Sequence, residues 1–283
     1  KVKGLASVTL WDGDIPTDTF GAESSSQENS DKIIGPKHAD FKPTLPRPPR
    51  EGTAPGFPFE NLVLEGGGAK GVIYPGAMKA LEDRGILPHL KRFAGASAGA
   101  LIAMLLAIGL GADQLQEEME NYADLQGIIM DGKQTSIATQ AIHAFYHLGV
   151  HPGKGLYASL GKLVEKYTGF ADITFRQLYD IYGTELCVSV TNVTRATNEL
   201  WHVKTRPDMP VRIAIRCSMS LPILLQPVHV RGDVFVDGGL VNNYPVEAFD
   251  GWWLSLDPKD TALRRLVVDG KNAKTAMGPR FDT

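Results

Sequence analysis

Two glycine-rich turns, Gly66-Gly67-Gly68-Ala69-Lys70-Gly71 and Gly95-Ala96-Ser97-Ala98-Gly99, constrain this chain most, because each joins a short apolar run to a helical pattern. Asn61-Leu62-Val63-Leu64 reads as a strand entering the first turn. A helix follows from about Gly71 to Arg84, with Ile73, Ala77 and Leu81 as its buried stripe and Gly85 as its stop. Arg92-Phe93-Ala94 repeats the plan, and an all-round apolar helix from Ser97 to Ile108 follows the second turn. Two consecutive strand-turn-helix units imply a parallel sheet of the α/β class.

Further along, Leu115, Met119 and Tyr122 form a helical stripe, and helical pattern continues from Ile137 to Tyr182. Leu186 to Val193 alternates as a strand with Glu199 to Val203 as its neighbour, and Pro210 to Ser218 reads as a helix. Val228-His229-Val230 and Val234-Phe235-Val236 flank Arg231-Gly232-Asp233, a hairpin pattern. Residues 1–58 are rich in Pro, Ser, Gly and charge and are expected to form an irregular arm. The compact domain is expected over 59–258, with a peripheral segment over 259–283.

With 283 residues, 43% of them hydrophobic, the chain can bury a sizeable core. A net charge of -3 gives no electrostatic case for a nucleic-acid partner. Cys187 and Cys217 are too few for a disulfide scaffold. The longest apolar run, Gly99 to Ala112, falls short of the roughly 20 residues a membrane span needs. The expectation is a soluble or peripheral membrane protein, cytoplasmic or secreted. The start at Lys1, without an apolar signal segment, leaves the compartment open.

The chemistry centres on Ser97. Small residues around it allow a sharp strand-to-helix turn that projects the hydroxyl, and the helix N-terminus places partial positive charge beside a developing anion. The alternative is a serine that caps its helix. The first turn fits G-x-G-x-x-G, but Glu82 and Asp83 come too early, and on the wrong element, to bind a dinucleotide ribose. Lys70 is followed by Gly71 rather than Ser or Thr, which excludes a P-loop. What remains is a backbone cradle from Gly66 through Gly71 whose N–H groups stabilise an oxyanion, with Lys70 adding charge; the alternative is a turn that admits close packing.

A serine nucleophile needs a base. His143, His147, His151, His202 and His229 follow Ser97, but none carries a local catalytic signature. His143 and His147 share a helical face without a carboxylate to complete a metal set, so no metal or cofactor is expected. Asp237 emerges from the apolar strand Val234-Phe235-Val236 into Gly238-Gly239. A partly desolvated carboxylate there can take the serine proton directly, although Asp-Gly is also a common turn pair.

The glycine-rich turn, G-x-S-x-G and Asp-Gly-Gly, in that order, resemble the patatin-like phospholipase family. Gly76-Ala77-Met78-Lys79-Ala80-Leu81-Glu82, Ser218-Met219-Ser220-Leu221-Pro222 and Asn242-Asn243-Tyr244-Pro245 extend the resemblance over about Asn61 to Pro258. Glu65 and Cys217 depart from the family's usual Asp and Ala. The resemblance implies a three-layer α/β/α fold with a mainly parallel central sheet, and a Ser97–Asp237 dyad without histidine or metal. It implies an oxyanion hole centred on Gly67 and Gly68, and phospholipase A-type hydrolysis through an acyl-enzyme. A neutral-lipid, lysophospholipid or galactolipid esterase is the nearest alternative, and a non-catalytic lipid-binding or storage protein is the alternative of another class. Expected partners are an acyl-lipid substrate, a membrane surface touched peripherally, and a protein activator facing the region from Asp124 to Tyr182. Phe57, Phe59, Phe145, Tyr146, Trp252 and Trp253 are candidates for a membrane-contacting rim, with buried packing as the alternative.

Overall fold

The order of pairing along one strand decides the architecture. The computed structural model describes residues 59–121 and 148–252. Strands β1 (Asn61–Leu64) and β2 (Arg92–Ala96) pair in parallel, and β2 pairs in parallel with β4 (Glu185–Asn192), Arg92 opposite Glu185 through Ala96 opposite Ser189. On its other edge β4 carries β5 (Thr197–His202), antiparallel. Beyond Ser189 the edge vacated by β2 is taken by β8 (Asp233–Asp237), running the opposite way with Asp237 opposite Val190. Strand β7 (Val228–Val230) completes the sheet as the hairpin partner of β8. Four of the six strands therefore run in one direction, and β5 and β8 oppose them. The hairpin turn has Arg231 at φ 51° and Gly232 at φ 87°, the two positive values of a tight type I′ connection.

Alternation along the strands separates two faces. Phe93, Leu186, Val188 and Val190 join the main core with helix α2 (Ala98–Ala107), which is buried on every side. Helix α6 (Val211–Ser218) packs on β4 and β8 in the same core. On the opposite face Ala94 and Cys187 meet Ala248 and Phe249 from the 3-10 helix Val246–Trp252. Sheet and helical cover thus stack in layers, as an α/β fold requires. Burial pushes the Cys217 thiol up to about 12, and both cysteines are free and buried.

The first helix differs from expectation. A 3-10 segment, Gly68–Ile73, precedes helix α1 (Tyr74–Asp83), and its tighter winding shifts the phase of the buried face. Pro75 and Met78 face the core, Leu81 is half-buried, and Ala77 is exposed. Ile73, expected inside, is 69% exposed. Helix α3 (Ala112–Asn121) buries Leu115 and packs Met119 against the core; Tyr122 lies outside the described residues. The expected helical stretch from 137 to 182 contains α4 (Lys154–Thr168) and α5 (Phe175–Tyr182), the latter held by a Thr174–Gln177 capping box. It also contains an unanticipated strand, β3 (Gly149–His151), which pairs in parallel with β6 (Ile223–Leu225) as a separate two-stranded ribbon. Among the described residues no helix is long and apolar enough to cross a membrane. The expected arm 1–58 and peripheral segment 259–283 lie outside the described residues.

Candidate active site

Strands β2 and β8 lie end to end on the same edge of β4 and run towards each other. Ala96 ends opposite Ser189 and Asp237 opposite the next residue, Val190. Whatever follows Ala96 must therefore meet Asp237. Ser97 follows it, and its hydroxyl donates to Asp237 Oδ2 at 2.7 Å.

The elbow that presents Ser97 is strained and tightly held. Ser97 has φ 49° and ψ -123°, a backbone conformation costing on the order of 1–3 kcal/mol for a non-glycine residue. Its N–H donates to Ser218 Oγ at 2.8 Å, and the Ser218 hydroxyl donates to Ser189 O at 2.7 Å. The Ser97 carbonyl accepts from Ala100 and Leu101, the first bonds of α2. The flanking glycines are demanded by close approach. A Cβ on Gly95 would lie 2.5 Å from the Gly99 carbonyl carbon, and one on Gly99 would lie 2.3 Å from Leu64 O. Although Ser97 stands at the N-cap of α2, its side chain makes no capping bond. The hydroxyl is directed to the carboxylate instead.

Asp237 serves two partners. Oδ1 accepts from Gly239 N–H at 2.7 Å, as a turn-forming aspartate does, while Oδ2 accepts from Ser97. Its own N–H donates to Ser220 O at 3.0 Å and its carbonyl accepts from the Thr191 hydroxyl at 2.9 Å. The residue is 3% exposed, and burial raises its pKa, opposed by the Ser97 and Gly239 hydrogen bonds. A carboxylate with raised proton affinity and a bonded hydroxyl is placed to accept that hydroxyl's proton.

The first glycine turn is clamped beside this pair. Gly66 N–H donates to Asn243 O at 3.1 Å, and Asn243 Nδ2 donates to both Gly66 O and Glu65 Oε1 at 3.0 Å. A Cβ on Gly66 would come within 3.1 Å of Ser97 Cβ. The six-residue cradle is not uniformly available, however. The N–H of Gly66 is committed to Asn243 and that of Lys70 to Gly67 O, while Gly71 is buried against Ala98. Gly67, Gly68, Ala69 and Lys70 are exposed at the mouth of the site. Gly238 backs onto Ser189 O, and Gly239 lies close to Asn243 Oδ1.

Among the described residues the candidate histidines stand elsewhere. His202 is fully buried in β5, where Nδ1 accepts from Lys204 N–H and Nε2 faces Glu185 at 3.1 Å, so the ε-protonated tautomer satisfies both ring nitrogens. Burial lowers its pKa despite Glu185, which favours the neutral ring. His229 pairs with Val234 on β7, three positions from Asp237, so it projects from the opposite sheet face. His151 is buried in β3. His143 and His147 lie outside the described residues, as do Phe57, Phe145, Tyr146, Trp253 and the side chain of Trp252. Phe59 is exposed, but it precedes β1 at the end of the sheet away from Ser97. Ser218 and Asn243 lie in segments that carried the resemblance, but their bonds to Ser97 and to the first glycine turn, like the role of Ser189, were not legible, because the partners are distant in sequence.

Comparison with known proteins identifies a family. The family model described as patatin-like phospholipase matches residues 62–250. An uncharacterized protein, R571, of Acanthamoeba polyphaga mimivirus is 30% identical over 197 residues, covering 68% of this chain and 62% of the viral one. A probable lipid hydrolase, 463L, of Invertebrate iridescent virus 6 is 26% identical over 189 residues, covering 67% of this chain and 62% of that protein. The matches thus span about three fifths of these relatives' length. The crystal structure of VipD from Legionella pneumophila shares 20% identity with a TM-score of 0.44, covering 66% of this chain and 47% of that one.

Proposed function

The chain belongs to the patatin-like phospholipase family, and from that premise we propose that it hydrolyses acyl esters of membrane glycerophospholipids, in phospholipase A fashion, through Ser97 and Asp237. One observation carries the reading: a serine in a strained elbow donates at 2.7 Å to a buried carboxylate whose pKa burial raises.

In the proposed reaction Asp237 Oδ2 takes the Ser97 proton as Oγ attacks the ester carbonyl. The oxyanion is received by the N–H groups of Gly67 and Gly68, with the N-terminus of α2 and the exposed Lys70 adding favourable charge. Collapse of the tetrahedral intermediate expels the alcohol, which takes the proton back from Asp237, and leaves an acyl-serine. Asp237 then deprotonates water for attack on that acyl group, returns the proton to Ser97 Oγ, and the fatty acid departs. Asn243 and Ser218 position the oxyanion turn and the elbow without touching substrate.

A fluorophosphonate ester should label Ser97, and the Ser97→Ala protein should resist labelling. Failure of the unmodified protein to react would favour a non-catalytic lipid-binding role. A panel of defined lipids, with and without cell extract, then tests substrate and activator together. Release of fatty acid from two-chain phospholipids is expected, and turnover of lysophospholipid or triacylglycerol alone would replace the phospholipase A assignment.

A further inference from the structure

One negative charge sits where the proposed chemistry least favours it. Glu65 immediately precedes Gly66, on which a Cβ would come within 3.1 Å of Ser97 Cβ. Glu65 is exposed, and its Oε1 accepts from Asn243 Nδ2 at 3.0 Å, so the carboxylate lies against the residue that clamps the oxyanion turn. Its Oε2 has no partner among the described residues, and Lys70, at the far end of the turn, forms no ion pair with it. The Glu65 carbonyl accepts from the Tyr74 hydroxyl, which brings that phenol to the same place. Tyr244 follows Asn243 in the chain and is 49% exposed. Burial raises the Tyr74 pKa, and the fields of Glu65 and Tyr244 raise it further, against the lowering effect of the bond to Glu65 O. A carboxylate and two phenols thus gather beside the oxyanion turn.

The clamp does not require that charge. A glutamine amide oxygen would accept from Asn243 Nδ2 as well, and would hold the turn without an anion next to it. A carboxylate there opposes the negative charge that develops on the ester oxygen, because oxyanion stabilisation depends on the sign of the groups around it. The opposition falls away when the substrate brings a cation of its own to the carboxylate. In a phospholipid, only glycerol, phosphate and two carbons separate a head-group ammonium from the ester, and an aromatic side chain beside a cation attracts it further.

We propose that Glu65, with Tyr244 beside it, receives the ammonium of the substrate's head group and selects phospholipids that carry one over those whose head group is anionic. The proposal rests on the reading of Ser97 and Asp237 as a phospholipase. An ammonium-bearing lipid pairs with the carboxylate and removes its adverse field from the oxyanion. An anionic lipid leaves that field in place and adds its own repulsion.

The test offers the protein phosphatidylethanolamine and phosphatidylglycerol of identical acyl chains in the same neutral detergent micelles. Competition within one micelle population reads the ratio of kcat/KM and cancels effects common to both lipids, a loosened oxyanion turn or altered adsorption among them. An exposed carboxylate–ammonium pair supports a preference of about three- to five-fold for phosphatidylethanolamine. Glu65→Gln keeps an acceptor for Asn243 and should abolish that preference, and Glu65→Lys should invert it. Asp113→Asn, the same loss of charge at a 76% exposed side chain on α3, should leave the ratio as it was. The Ser97→Ala protein, titrated with monomeric short-chain forms of the two lipids, reads the same discrimination as a ratio of Kd. Equal handling of the two lipids before substitution, a ratio unmoved by Glu65→Gln, or one moved as far by Asp113→Asn would each overturn the assignment. Discrimination in binding that depends on Glu65, in a protein that cleaves neither lipid, would sustain the head-group site and refute the hydrolase reading; hydrolysis with the ratio unmoved would do the reverse.

Discussion

Replacing Asp237 by Asn separates the chemistry of the site from its architecture. In Asp237→Asn the side-chain oxygen can still accept from Gly239 N–H, now 2.7 Å from Oδ1, and the new amide can donate to Ser97 Oγ across the 2.7 Å now spanned by the serine's own hydrogen. The hydrogen bond survives with its polarity reversed, and no group is left to take the serine proton. Positioned general base catalysis contributes roughly 10²–10⁴-fold, so kcat should drop by that factor, equivalent to about 3–5 kcal/mol of transition-state stabilisation. Stability should move the other way. Burial raises the folded pKa of Asp237 above its unfolded value of 3.8, so ionisation opposes folding: the penalty is absent below the unfolded pKa, grows as pH rises through the folded one, and is fully present above it. The Asn variant escapes that penalty and should be at least as stable as the parent at neutral pH, with any advantage vanishing at low pH. Stopped assays on a phospholipid and on a soluble ester, beside thermal unfolding at two pH values, read both effects. Activity within about three-fold of the parent would refute the base assignment. A melting point lower by more than roughly 8 °C, about 2–4 kcal/mol for a domain of this size, would show that the carboxylate is needed for the fold instead.

The pH profile of kcat/KM should lose activity on its acid side with an apparent pKa above 3.8, because Asp237 must be ionised to act; a limb at or below that value contradicts the burial argument. Asn243→Ala removes the bonds to Gly66 O and Glu65 while leaving Ser97 and Asp237 in place, so kcat should fall about ten-fold with KM nearly constant, and steady-state kinetics that show a KM effect alone would remove Asn243 from oxyanion positioning. Gly99→Ala gains about 1 kcal/mol of helix propensity but drives a Cβ to 2.3 Å from Leu64 O, and the overpacking cost, roughly 1–3 kcal/mol or more, should win in a denaturant titration. His202→Gln should keep kcat within a few-fold, since that ring's bonds run to Glu185 and Lys204, and collapse of activity in a folded variant would return a histidine to the mechanism.

Much of the fold was legible because it is written in local pattern. The strand at Asn61–Leu64 coincides with its apolar run, the helix after Ser97 is apolar on all sides and buried on all sides, and Arg231-Gly232 makes the tight hairpin its flanking valines suggest. Strands β3 and β6 escaped, since each is three residues long and, unlike β7, has its partner far away in sequence rather than across a tight turn. The stripe on α1 was misplaced because a 3-10 start is invisible to a search at period 3.6. The two hydrogen bonds of Asp237 were also hidden: Asp-Gly-Gly taken alone reads first as a turn, and here one carboxylate oxygen accepts from the turn's Gly239 N–H while the other accepts from Ser97.

By itself the sequence determined the strand-turn-helix units, the glycines that let β1 and β2 approach the serine helix, and the residues able to act there, since propensity and periodicity are local properties. Tertiary structure alone decided that β8 would run against β2 along one edge of β4, bringing Asp237 to the hydroxyl of a serine 140 residues earlier. It also set that Asn243 commits the N–H of Gly66, and left Ile223 and Leu148 exposed at positive φ. Sheet register and loop closure depend on every packed side chain at once, and no stretch of chain encodes them on its own.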